Sequence, residues 1–292
     1  MPELPEVETV MRGLTPVLVG RRIEKAEIRR SGLRFAFPDG FADKLEGRAI
    51  LGLTRRAKYI LVGLDDGHLI LIHLGMTGRF TVQGDRSKSF GEFYHKTEAA
   101  DQGSGPHDHV VIWLDDGVRV IYNDPRRFGI MDLLHESELA THKLLKDIGV
   151  EPLGNAFSSA YLVEKFRNKK APLKAALLDQ QIIAGLGNIY VSEALHRSGL
   201  SPRRAARTLT RKGDRLDQLV RHVRDILNEA ILAGGSTLQD FAGTDGSEGA
   251  YQQRFAVYDR ENEPCQKPGC GGIIRRIVQS GRSTFYCPTC QK

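Results

Sequence analysis

Apolar residues recur at helical spacing at the start of the chain, where Val7, Val10, Met11 and Leu14 share one face, so the polypeptide opens with a helix whose N-terminus holds Pro2 and Glu3. From there to about residue 130 the pattern changes to short aliphatic and β-branched runs separated by turn residues. Two stretches echo each other. Leu61-Val-Gly-Leu-Asp-Asp-Gly-His-Leu-Ile-Leu-Ile and Val111-Ile-Trp-Leu-Asp-Asp-Gly-Val-Arg-Val-Ile-Tyr share a Leu-Asp-Asp-Gly turn, and both predict β-hairpins. Several strands with no regular helix between them point to a β-sandwich or barrel rather than a parallel sheet. The polar stretch from Gly84 to Pro106 predicts a long loop that the core does not need.

The pattern changes again near Ile148-Gly-Val-Glu-Pro-Leu-Gly, a punctuated linker after which helical spacing dominates until about Ala233. Helices are predicted over Pro172–Gln180, Gly187–Ser198 and about Thr210–Leu232. The connection Ala184-Gly-Leu-Gly-Asn188 has two readings: a tight turn between helices, or bare backbone N–H groups offered to a phosphate at a helix N-terminus. It is no dinucleotide fingerprint, because no strand precedes it and the third glycine is missing. The small, polar residues 234–253 fit a linker or a lid. This reading gives an α+β multidomain chain divided as 1–134, a linker 135–154, 155–243, a flexible loop and following strand over 244–255, and 256–292.

Composition sharpens the far end. All four cysteines fall there, at Cys265, Cys270, Cys287 and Cys290, as C-x4-C, sixteen residues, then C-x2-C. In a chain without an export signal this spacing reads as two thiolate pairs closing one tetrahedral Zn²⁺ site rather than as disulfides. Four sulfur ligands leave no position for water, so the ion is structural. Between the pairs, Ile273–Gln279 and Thr284–Tyr286 flank Ser280-Gly281-Arg282, which predicts a hairpin with Arg282 at its tip. The net charge of +6 is compatible with an anionic partner without demanding one. No apolar run nears the roughly 20 residues of a membrane span, and the start lacks a secretory pattern, so the expected location is the cytoplasm with no membrane partner.

The N-terminus carries the sharpest chemistry. Removal of Met1, usual before a small residue, leaves Pro2 with a secondary amine, which condenses with an aldehyde-like carbon to a permanently cationic iminium. The positive end of the helix dipole favours the neutral, reactive amine. The plainer reading is a proline in an ordinary first helical turn.

Taken together, Pro-Glu-Leu-Pro-Glu-Val-Glu-Thr-Val at the start, His73-Leu-Gly-Met-Thr-Gly, Asp124-Pro-Arg-Arg-Phe-Gly, the Gly-Leu-Gly-Asn-Ile-Tyr turn and the four-cysteine finger resemble bacterial formamidopyrimidine-DNA glycosylase along the whole chain. The resemblance implies an N-terminal catalytic β-sandwich with a leading helix, a helix-two-turn-helix DNA-binding domain and a zinc-finger β-hairpin, with DNA in the cleft between. It implies a monomeric base-excision repair enzyme that removes 8-oxoguanine and formamidopyrimidines from damaged double-stranded DNA near the nucleoid and then cuts the strand. By the same resemblance Pro2 is the nucleophile and Glu3 the general acid. Lys58 serves β-elimination and phosphate binding, and Arg282 δ-elimination. His107, Lys169 and Asn188 contact DNA, while Met76, Arg126 and Phe128 fill the space left by the flipped base. Residues 243–251 would read the lesion.

The chain departs from the commonest family pattern at Met11, where an arginine is usual, and in the long 84–106 stretch. Its Pro-Glu-Leu-Pro start differs from the Pro-Glu-Gly-Pro of the endonuclease VIII relatives, which prefer oxidised pyrimidines. Two other readings stand beside the purine glycosylase: a glycosylase for oxidised pyrimidines, and a non-catalytic zinc-finger protein that binds damaged DNA. The His107-x-His109 spacing offers two metal-ligand types with no third ligand evident.

Overall fold

The computed structural model describes residues 1–84, 88–90, 105–211, 213–236 and 250–292. Most of the expected 84–106 loop and of the 243–251 segment lies outside the described residues. The chain forms two compact units that interleave along the sequence: Met1–Lys146 with Ala233–Ala250, and Asp147–Leu232 with Tyr251–Lys292.

The first unit opens with helix α1 (Leu4–Leu18), whose Leu4, Val7, Val10, Leu14 and Leu18 are at most 5% exposed, so one entire stripe is buried. Two antiparallel sheets follow. One contains β2 (Ile50–Arg56), β3 (Tyr59–Leu64), β4 (His68–His73) and β9 (Ile130–His135) in that order. The other has the order β1 (Ile23–Ile28), β7 (Asp108–Leu114), β8 (Arg119–Asn123), β5 (Arg79–Gln83) and β6 (Lys88–Phe90). A short helix, α2 (Phe41–Leu45), follows β1. Ile60, Val62 and Ile72 of the first sheet, Phe80, Val110 and Tyr122 of the second, and Val7, Val10, Leu14 and Leu18 of α1 form one core. Both Leu-Asp-Asp-Gly hairpins are present. In each, the second aspartate accepts the amide two residues on, Asp66 from His68 and Asp116 from Val118, and the glycine takes the left-handed conformation, φ 82° at Gly67 and 80° at Gly117. Met11, where the family commonly has an arginine, packs against the sandwich core, which an aliphatic side chain suits and a guanidinium does not.

The second unit contains α3 (Ser159–Phe166), α4 (Leu173–Leu178), α5 (Asn188–Arg197), α6 (Gly213–Leu232) and a terminal hairpin of β10 (Arg275–Gln279) and β11 (Arg282–Tyr286). Ser158 caps α3 by accepting the Tyr161 amide. The hairpin differs in one detail from expectation: Arg282 begins β11 opposite Gln279, and the tip is Ser280-Gly281, both left-handed at φ 50° and 72°. A two-residue turn of this hand matches the twist of the strands it joins, which moves the turn one residue earlier. Of the loop and following strand expected over 244–255, the described residues 250–255 form no strand. Tyr251–Arg254 form a 3-10 turn, because Tyr251 is drawn inward against Tyr190 and Phe255, and the following amides go to a carboxylate instead of a strand partner. Among the described residues no helix is long and apolar enough to cross a membrane.

Candidate active site and nucleic-acid interface

Pro2 and Glu3 stand at the N-terminus of α1. Glu3 is the N-cap and is 3% exposed, and its backbone N–H donates to the Glu6 carboxylate at 2.9 Å. Pro2 lies just outside the helix and is half-buried. Glu6, itself 3% exposed, also accepts the backbone N–H and hydroxyl of Ser236, each at 2.9 Å. One carboxylate thus ties the start of the helix to the segment that precedes residues 237–249. A side chain on Gly235, at φ +84°, would press on that carboxylate.

Lys58 lies in the turn between β2 and β3, next to Ala57 at φ 55°, and is 6% exposed. The turn is tied to α1 by an ion pair of Arg55 with Glu8, 2.8 Å, and Arg55 also donates to the Ala57 carbonyl. His73, at the end of β4, accepts the Gly75 amide on Nδ1 at 3.0 Å and packs against Tyr59. Burial, with the Lys58 and Arg34 charges, pushes its pKa down to about 4, so the ring is neutral at pH 7. The locality is electropositive without a charged histidine, which suits an anionic ligand.

Met76 and the Arg126–Phe128 pair come from two turns held together by Asp124, which is fully buried. Its carboxylate accepts the Thr77 hydroxyl and the Gly129 amide, the latter at 2.8 Å, and its carbonyl accepts the Arg127 amide. Gly75, at φ +66°, lets the first turn touch the second, since a Cβ there would collide with the backbone of Phe128 and Gly129. Phe128 is 44% exposed with the Arg126 guanidinium 4.7 Å above its ring, a large apolar side chain left outside the core. Met76 is half-buried. His107 is exposed, and its carbonyl accepts the Asp124 amide. His109 turns inward, with Nε2 2.9 Å from the Asp124 carbonyl oxygen, so the two histidines of the His-x-His pattern face different surroundings.

In the second unit Asn188 is the first residue of α5, following Gly187 at the N-cap. Its amide donates to the Ser283 carbonyl at 2.9 Å, beside the exposed Arg282. The hairpin is held from below by Lys174, 1% exposed, which donates to that same carbonyl and to the Thr284 hydroxyl. Asn188 and Lys174 therefore share one backbone acceptor, the carbonyl of the residue that follows Arg282. Lys169 pairs with Asp179 at 2.9 Å, each about a third exposed. The sulfurs of Cys265, Cys270, Cys287 and Cys290 all lie within 4.8 Å of one another, with Cys265–Cys290 at 3.9 Å and Cys270–Cys287 at 3.6 Å. Four thiolates around a tetrahedral zinc ion stand about 3.8 Å apart, so this donor set fits one structural zinc.

Asp124, Thr77, Glu6, Ser236, Lys174, Glu193 and His196 are the organising residues that motif reading leaves unassigned. Glu6, Thr77 and Asp124 stand inside the quoted motifs and the others lie outside them, and no local pattern names their partners.

Three family models account for most of the chain: the formamidopyrimidine-DNA glycosylase N-terminal domain over residues 1–131, the formamidopyrimidine-DNA glycosylase H2TH domain over 148–242, and the zinc finger found in FPG and IleRS over 262–292. Proteins named formamidopyrimidine-DNA glycosylase from Rhizobium johnstonii and Dinoroseobacter shibae are 58% and 51% identical, each match covering the whole of both chains. Among solved structures, MutM (Fpg) of Thermus thermophilus is 38% identical with a TM-score of 0.82 over 99% of this chain and 98% of that one. Wild-type Lactococcus lactis Fpg bound to DNA containing N7-benzyl-Fapy-dG is 32% identical with a TM-score of 0.85 over the full length of both. The chain belongs to the formamidopyrimidine-DNA glycosylase family.

Proposed function

We infer that this enzyme excises oxidised purines, 8-oxoguanine and formamidopyrimidines, from duplex DNA and then cleaves the strand, acting as a monomer on damaged DNA in the cytoplasm with the Pro2 amine as nucleophile. The observation that carries the reading is the start of α1. Pro2 stands just outside a capped helix, next in sequence to the buried N-cap Glu3, on a helix tied by Glu8 and Arg55 to the turn that bears Lys58. Once Met1 is removed, the secondary amine attacks C1′ of the damaged nucleotide. The bond to the base breaks with its electron pair leaving on the base, which takes up one proton as the attacking nitrogen gives up its own. Glu3 protonates O4′ as the sugar ring opens, and the nitrogen lone pair closes the C1′=N iminium. That cation acidifies C2′–H, so loss of the proton expels the 3′ phosphate, and a second elimination expels the 5′ phosphate. Lys58 and Arg282 steady these two phosphates, with His107, Lys169 and Asn188 along the backbone. Met76 and Phe128 fill the emptied stack, and Arg126 hydrogen-bonds the unpaired cytosine. The zinc ion holds the hairpin that carries Arg282 and supplies no chemistry to the reaction.

Borohydride reduction tests the mechanism. Incubated with an 8-oxoguanine:C duplex and borohydride, the wild-type enzyme forms a covalent adduct whose peptide mass maps to an N-terminal Pro2. Pro2→Glu, whose bulky side chain blocks Met1 removal, forms none. An adduct mapping to a lysine, or none with wild type, sinks the assignment. A solved L. lactis relative is bound to DNA containing an oxidised pyrimidine, so the same assay is run on thymine glycol. Faster excision there than of 8-oxoguanine would make pyrimidines the primary substrate.

A further inference from the structure

Helix α5 grips the cysteine module at three points. Asn188 donates to the Ser283 carbonyl at 2.9 Å. The carboxylate of Glu193, 5% exposed, accepts the amides of Ala256, Val257 and Tyr258 at 2.9, 3.0 and 2.8 Å. Both contacts are explained by the backbone groups they satisfy. The third is different in kind. One turn after Glu193, the imidazole of His196, 6% exposed, places Nε2 3.3 Å from the sulfur of Cys265. The cationic groups that bear on this ring are Lys267, Arg260 and Arg197. Of the four cysteines, Cys287 is fully buried, whereas Cys265, like Cys270 and Cys290, is partly exposed.

A zinc-bound thiolate has lost its proton and can only accept a hydrogen bond, so an imidazole nitrogen at this distance must present N–H to it. We propose that His196 is the outer hydrogen-bond donor of the zinc site, acting through the Cys265 thiolate. The bond draws electron density from the sulfur, which lowers its readiness to be protonated, alkylated or oxidised, and fixes its direction toward the metal. It also makes zinc retention depend on the same helix that carries Asn188. His196 is a positioning residue and touches neither DNA nor the metal.

The test uses the full-length, zinc-loaded protein. Zinc release to an excess of a chromogenic chelator, with and without hydrogen peroxide, is timed for wild type, His196→Phe and His196→Gln. Phenylalanine keeps a planar ring without the donor, while glutamine keeps an N–H. Release from His196→Phe is expected to be about 10 to 100 times faster than wild type, the loss typical of a deleted outer partner, with His196→Gln close to wild type. In cobalt-substituted protein the sulfur-to-metal charge-transfer band moves to lower energy in the phenylalanine variant alone. Wild-type release from His196→Phe overturns the proposal, as does equal acceleration in both variants, which would mean that packing and not the hydrogen bond is at work. Nitrogen-15 NMR of the wild-type holoprotein reads the ring directly and needs no variant. A proton on His196 Nε2 is expected, and a bare Nε2 overturns the proposal whatever the variants do.

Discussion

Asp124 shows how much one buried carboxylate organises. It joins the turn bearing Met76 to the turn bearing Arg126 and Phe128 through the Thr77 hydroxyl and the Gly129 amide. Residues assigned to fill an emptied base stack need a rigid base, because a wedge that can retreat gains nothing from unstacking DNA. Replacing Asp124 with alanine strands two buried donors. Asp124→Ala is therefore expected to lower stability by about 3 kcal/mol in urea unfolding and to weaken binding to a duplex with an abasic site opposite cytosine, with zinc content unchanged. Wild-type affinity in a folded Asp124→Ala protein would remove Asp124 from this role. Neighbouring His73 illustrates the opposite use of burial: low exposure beside Lys58 and Arg34 keeps the ring neutral. In that state its Nδ1 stays available to accept the Gly75 amide.

Among the elements, α1 is both a core helix and the carrier of Pro2, the proposed nucleophile. Its buried stripe sets its position on the sandwich, and the Glu6 carboxylate sets its first turn by collecting the amide of Glu3 and both donors of Ser236. Glu6→Ala leaves three donors without that acceptor. The expected cost is about 3 kcal/mol, together with a fall in kcat for 8-oxoguanine excision larger than the change in DNA affinity, because the geometry at Pro2 loosens while the phosphate contacts stay in place. Glu6→Gln, which keeps an acceptor oxygen, should recover most of the stability. Equal losses in the two variants would show that the charge, not the hydrogen bonds, is what matters.

At the scale of the whole molecule, the hairpin shows what the metal is for. The module has a very small apolar core, Val257, Ile274, Phe285 and Cys287, too little to hold residues 256–292 by hydrophobic burial alone. Chelation of zinc is expected to raise amide hydrogen exchange across Arg275–Tyr286 and to weaken DNA binding by at least tenfold, while strand amides of the sandwich keep their protection. Unchanged exchange in the hairpin after verified zinc loss would mean that Lys174, Asn188 and Glu193 suffice to hold it.

What the sequence by itself determined is what depends on near neighbours. The stripe of α1, the two Leu-Asp-Asp-Gly hairpins, the helices at 188–197 and 213–232 and the paired cysteines all follow from spacings within a few residues, where periodicity and turn chemistry act directly. Helices α2 and α3, five and eight residues long, are too short to leave a decisive period. The family motifs marked the candidate chemical residues one by one. Only the tertiary structure decided which side chains brace them: Thr77 with Asp124 across 47 positions, His196 with Cys265 across 69, Lys174 with Thr284 across 110 and Glu6 with Ser236 across 230. No local pattern encodes such pairs. They arise when packing removes water from both partners at once, so that each buried polar group must find the other.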